Sequence, residues 1–147
     1  MTEAERIAIT GRTLILFDGV CILCNRTIRF LLNRDSADNL RFAPTQSSLA
    51  HDFLTRFGLD TPPEGVVVIT NALTVNERLY TRSDASAEAL RHIKNPYPAL
   101  GTLLRIVPCW LREFGYGIVA RNRYRIFGKY DTCPIPTEGQ RSRILGV

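Results

Sequence analysis

At 147 residues, with 45% hydrophobic and 22% charged side chains, the chain has the size and balance of one globular domain with a sizeable core. No apolar run approaches the roughly 20 residues of a membrane-spanning helix. The acidic start, Met-Thr-Glu-Ala-Glu-Arg, lacks the apolar stretch of a secretory signal, so a cytoplasmic location is expected. The net charge of +5 sits in residues 105–147, which hold 8 basic and 3 acidic groups against 11 of each in residues 1–104. A basic segment of this kind is either a solvated helix face or a contact for nucleic acid, an anionic membrane or an acidic partner.

Thr13 to Phe17 is almost wholly apolar and reads as a strand buried on both faces. It runs into Asp18-Gly19-Val20-Cys21-Ile22-Leu23-Cys24, where the periodicity turns helical. Cys21, Cys24, Ile28, Leu31 and Leu32 then share one face, and Arg26, Arg29 and Asn33 the other. Asp35 to Asn39 is a turn, and Leu40, Phe42 and Pro44 alternate with polar neighbours as a second strand. Gln46 to Phe57 is predicted helical, closed by Gly58. Val66 to Ile69 is a β-branched run, and Val75 to Thr81 can return antiparallel to it after Asn71. Ser83 or Asp84 is positioned to cap a helix through Leu90 and Ile93. Beyond Pro96 and Pro98 a helical region, interrupted at Pro108, reaches about Phe127.

The element order β-α-β-α-β-β-α is that of an α/β protein with a thioredoxin-like core at about 13–94. A helical extension at about 97–128 and a loop-like tail at 129–147 complete one domain.

The two thiols carry the chemistry. A helix start offers unpaired N–H groups and the positive end of the dipole, so a thiol there loses its proton more easily. A second thiol three residues on can resolve a mixed disulfide. Cys21, at the exposed terminus, is expected to be the nucleophile, and Cys24, one turn inward, the buried resolving thiol. Asp18 has two open readings. It caps the helix or shapes the turn with Gly19, or, with a raised pKa, it exchanges protons with Cys24.

Zinc normally needs four ligands in close pairs. Cys109, Cys133, His51 and His92 are isolated in the sequence, so neither metal nor cofactor is expected. Cys109 reads as a packed residue and Cys133 as a loop cysteine. Leu16 stands where a haloacid dehalogenase-type phosphatase needs its nucleophilic aspartate, which removes that reading. The run Arg121-Asn122-Arg123-Tyr124-Arg125 supports a non-enzymatic alternative, a binding module for nucleic acid or an acidic partner.

With Asp18, the motif Phe-Asp-Gly-Val-Cys-Ile-Leu-Cys-Asn resembles the signature of the DCC family of thiol–disulfide oxidoreductases, named for its Asp-Cys-Cys triplet. Ala120 to Gly128 resembles that family's C-terminal segment. The resemblance implies thiol–disulfide exchange by this dithiol; the expected substrate is a protein disulfide or a low-molecular-weight thiol, with the reductase direction favoured. In thioredoxin itself the central dipeptide is Gly-Pro, here Ile22-Leu23. Thioredoxins also carry a cis-proline immediately before the third strand, whereas Pro62 and Pro63 stand two residues further from Val66.

Overall fold

The computed structural model describes residues 2–35, 37–59, 61, 65–129 and 143–145. Its elements are α1 (Glu3–Ile9), β1 (Thr13–Phe17), α2 (Ile22–Arg34), β2 (Leu40–Pro44), α3 (Ser48–Arg56), β3 (Val67–Thr70), β4 (Arg78–Thr81), α4 (Arg82–Arg91), α5 (Tyr97–Ile106) and α6 (Cys109–Phe127). The four strands form one mixed sheet in the order β2-β1-β3-β4. β1 runs parallel to β2, with Thr13 opposite Leu40, and antiparallel to β3, with Leu14 opposite Ile69. β4 closes the far side antiparallel to β3.

Strand alternation sends the apolar residues of β1 to two cores, one on each face of the sheet. Ile15 and Phe17 pack with Cys21, Cys24, Ile28 and Leu31 of the α2 region and with Ala85 and Ala89 of α4. Leu14 and Leu16 pack with Leu49, Phe53 and Leu54 of α3 and with Ile9 of α1. The chain is thus an α/β protein of three layers, with α2 and α4 on the face that carries the thiols.

Several expectations need correction. Helix α1 was not predicted, although Thr2 and Glu5 form a reciprocal capping box at its start. The polar positions of β2 do not face solvent: Arg41 is buried, its guanidinium donating to the Leu40 carbonyl at 2.8 Å and to Asp38. The tail, which is not all loop, also runs along this edge, where Arg143 shares Asp38 Oδ1 with Arg41. The Phe42 N–H donates to the Arg143 carbonyl at 2.8 Å, and the Leu145 N–H to the Phe42 carbonyl at 2.7 Å. Ile144 therefore lies parallel beside Phe42 and covers the open edge of the sheet.

β4 starts only at Arg78, and Val75 is fully exposed in the preceding turn. α4 is capped by neither Ser83 nor Asp84. Thr81 is its N-cap and makes no side-chain cap bond. Ser83 and Asp84 instead lie in the first turn, held by α6: Arg112 donates to Ser83 Oγ at 2.9 Å and to Asp84 at 2.7 Å. Glu113 accepts from the Ser83 hydroxyl, and from Arg82 Nε at 2.6 Å. Pro62, Pro63 and Cys133 lie outside the described residues.

Candidate active site

The site is built at the end of β1. Phe17 is the last strand residue, and its carbonyl accepts from the Thr45 N–H at 2.7 Å, which fixes where the chain leaves the sheet. Asp18 then makes the turn. Its Oδ1 accepts from the Val20 N–H at 3.2 Å and its carbonyl from the Cys21 N–H at 3.2 Å. Asn25 ties the turn down from one helical turn away, donating to the Gly19 and Cys21 carbonyls, both at 2.9 Å. Gln46 holds it from the β2–α3 connection, accepting from the Gly19 N–H and donating to Asp18 Oδ1 at 2.8 Å.

Cys21 is the N-cap of α2, and its sulfur accepts a hydrogen bond from the Cys24 N–H at 3.3 Å. A sulfur thus fills the place that a serine or aspartate oxygen usually takes. Both thiols are free. Cys21 is not at an exposed terminus: it is 0% exposed, and Cys24 is 6% exposed. The cover over Cys21 comes from the far end of the chain, where Lys129 bridges to it as an isolated β-pair. Gly128 makes this crossing possible. Its φ of +91° disfavours any side chain, and a Cβ there would sit 3.0 Å from Ile22 Cδ1.

Burial pushes the Cys24 thiol up to about 12, reinforced by its hydrogen bond with Cys21 and by the charges of Cys21 and Asp18. Asp18 moves the other way, opposite to the raised pKa of the relay reading. Burial works against its charge, but hydrogen bonds from Tyr124, Gln46, Val20 and Arg123 outweigh that and hold the carboxyl below the usual range. The Tyr124 hydroxyl donates directly to Asp18 Oδ2, and Arg123 Nη2 reaches the same oxygen at 3.3 Å.

This splits the basic run of α6. Arg123 and Tyr124 are bonded to Asp18, while Arg121 and Arg125 are exposed, so the five residues present no continuous basic strip. Sequence reasoning missed Arg123, Tyr124 and Gln46 as neighbours of Asp18. The one available signal was that Ala120–Gly128 matched a family segment.

Beside Cys24 lies a cavity of about 150 Å³, walled by Leu23, Thr27, Val66, Tyr116, Ala120 and Arg123. Tyr116 anchors its wall, accepting from the Val66 N–H at 3.1 Å. Cys109 is exposed at the start of α6, not packed. His51 lies on α3, and His92 follows α4 with Nε2 3.2 Å from Glu88. Neither approaches the thiols in a ligand set, and among the described residues no three His, Cys, Asp or Glu side chains are grouped to hold a metal ion.

Residues 15–129, from the middle of β1 to the Lys129 bridge, match the model of the DCC1-like thiol-disulfide oxidoreductases. The chain belongs to that family. It is 36% identical over 124 residues to a chloroplastic DCC family protein of Arabidopsis thaliana, covering 84% of this chain and 70% of the relative. It is also 34% identical over 132 residues to the uncharacterized protein YuxK of Bacillus subtilis, covering 89% and 92%. No solved structure matches the chain significantly. The match takes in both halves of the site, the Asp18-to-Cys24 turn and the Arg123–Tyr124 pair. Among the described residues no helix is long and apolar enough to cross a membrane.

Proposed function

We propose that this DCC1-like protein reduces protein disulfides on a thioredoxin-like core. The core reading is supported by the strand order β2-β1-β3-β4, with the dithiol at the β1–α2 junction. The observation that carries the function is the Cys24 N–H hydrogen bond to Cys21 sulfur, combined with a Cys24 thiol that keeps its proton. Cys24 is then the thiol held back for the second step, which leaves the first attack to Cys21.

Cys21 attacks one sulfur of the substrate disulfide. A mixed disulfide forms, and the other substrate sulfur leaves and takes up a proton. Cys24 loses its proton and attacks Cys21, forming the Cys21–Cys24 disulfide and releasing the second substrate thiol. Two electrons pass from the enzyme to the substrate. Since Cys21 is fully buried, the first attack requires Gly128–Lys129 to move aside.

Asp18 fits the turn-shaping reading better than the relay, because a carboxylate gripped by four donors is a weak base. As an anion it also disfavours ionisation of Cys24, which keeps the two thiols in different roles. The cavity beside Cys24 favours a protein substrate. At about 150 Å³ it holds one side chain and is smaller than the roughly 300 Å³ at which small-molecule sites begin.

Trapping tests the assignment. Cys24→Ser should accumulate mixed disulfides through Cys21, and Cys21→Ser should not. Faster alkylation of Cys24 than of Cys21 in the reduced protein would reverse the roles.

A further inference from the structure

Among the described residues thirteen large apolar side chains are exposed, and eleven of them lie between Leu100 and Phe127. Isolated exposed hydrophobes are ordinary, but a concentration on two consecutive helices is not. The reason is visible in how α6 is mounted. It meets α4 and the dithiol through Arg112, Glu113, Gly117, Ala120 and Arg123, a polar and small-residue face. Its apolar residues are therefore left outside.

Trp110, Phe114 and Ile118 follow one another at four-residue spacing and are 73%, 64% and 40% exposed. Arg121 and Arg125 continue the same helical stripe, both exposed. On α5, Leu100, Leu103 and Ile106 add an exposed apolar row. From residue 97 to 129 the chain has one acidic residue, Glu113, and that is tied inward to Arg82 and Ser83. The exposed side chains along this α6 stripe are therefore apolar and cationic, and the neighbouring carboxylate of α4, Asp84, is paired with Arg105 and Arg112.

We propose that the α6 stripe from Trp110 to Arg125 seats on an anionic lipid bilayer. Apolar side chains would enter the boundary between headgroups and acyl chains, and Arg121 and Arg125 would meet the phosphates. Trp110 belongs at that depth, where indole rings prefer to lie. The charge pattern argues against a second copy of the chain as occupant, since a two-fold pairing would set this cationic stripe against its own copy. The docking does not depend on the thiol chemistry.

Trp110 is the only tryptophan, so its emission reports the contact directly. With vesicles of phosphatidylcholine and phosphatidylglycerol, the full chain should float with the lipid and its emission should shift to the blue. An Arg121→Ala/Arg125→Ala variant should bind about 30-fold more weakly, and added salt should act in the same direction. Phe114→Asp should lose the shift while its far-ultraviolet circular dichroism is unchanged. Equal binding to pure phosphatidylcholine, or none to the anionic vesicles, overturns the proposal. So does a dimer in light scattering that Phe114→Asp dissolves while vesicles leave the protein free, which would give the face to a second copy.

Discussion

Asp18 is buried as an anion, and its neighbours determine what that costs. A carboxylate without partners in such a position would be strongly disfavoured; here Tyr124, Arg123, Gln46 and the Val20 N–H share its two oxygens. Tyr124→Phe removes one donor to a charged acceptor and should cost about 1.5–3 kcal/mol, measured by urea denaturation. The pH dependence has a definite sign. Because the folded pKa of Asp18 lies below the unfolded one, the ionised form favours the native state. That stability is full above about pH 4 and is lost as pH falls through the lowered folded value. In Tyr124→Phe the onset, set by the unfolded carboxyl, should stay near about pH 4, while the total acid loss becomes smaller and ends at higher pH. Cys24 titrates in the opposite sense, its folded pKa lying above the ordinary thiol value. Alkylation of Cys24 in Cys21→Ser should therefore stay slow well above pH 9, and reach the rate of an unfolded control only in strong alkali. A normal thiol profile would show that burial does not govern this sulfur.

The helices differ in how they are secured. α5 approaches α4 through Gly101, where an added Cβ would sit 2.6 Å from the Ala87 carbonyl oxygen. Gly101→Ala should destabilise the protein by about 1–3 kcal/mol through that overlap, despite alanine's better helix propensity; denaturation midpoints decide it. α5 also meets α2, where Tyr97 stacks edge-on to Phe30 at 5.1 Å. β1, α2 and α3 were legible in the sequence because each declares itself locally, by an apolar run, a helical face or a closing glycine. The cap of α4 was not, since Ser83 and Asp84 suit capping but are claimed by Arg112 and Glu113 some thirty residues away. α1 carried its signal, Thr2 and Glu5 at capping-box spacing, in a stretch too short to show a periodic face. The thiol pair and its turn were readable for the same local reason as β1. The cover on Cys21 and the Arg123–Tyr124 grip on Asp18 were not, because both come from beyond residue 120 and leave no periodic trace near the motif.

At the scale of the molecule, the C-terminal third both completes the site and closes the sheet. Arg143 to Leu145 occupies the edge of β2 that would otherwise present unpaired N–H and C=O groups. Removing residues 143–147 should lower stability and produce concentration-dependent association, visible by light scattering. A truncated protein that stays monomeric and equally stable would show that the edge needs no cover.

Asp18 and Tyr124 are separated by 106 positions in the chain. At roughly 5–20 residues per second of synthesis, about 5–20 s pass between the emergence of the one and of the other. During that interval the nascent Cys21 and Cys24 have neither the Tyr124–Arg123 clasp nor the Gly128–Lys129 crossing over them. The nascent thiols are therefore open to stray oxidants until α6 and the Gly128–Lys129 crossing have emerged and docked.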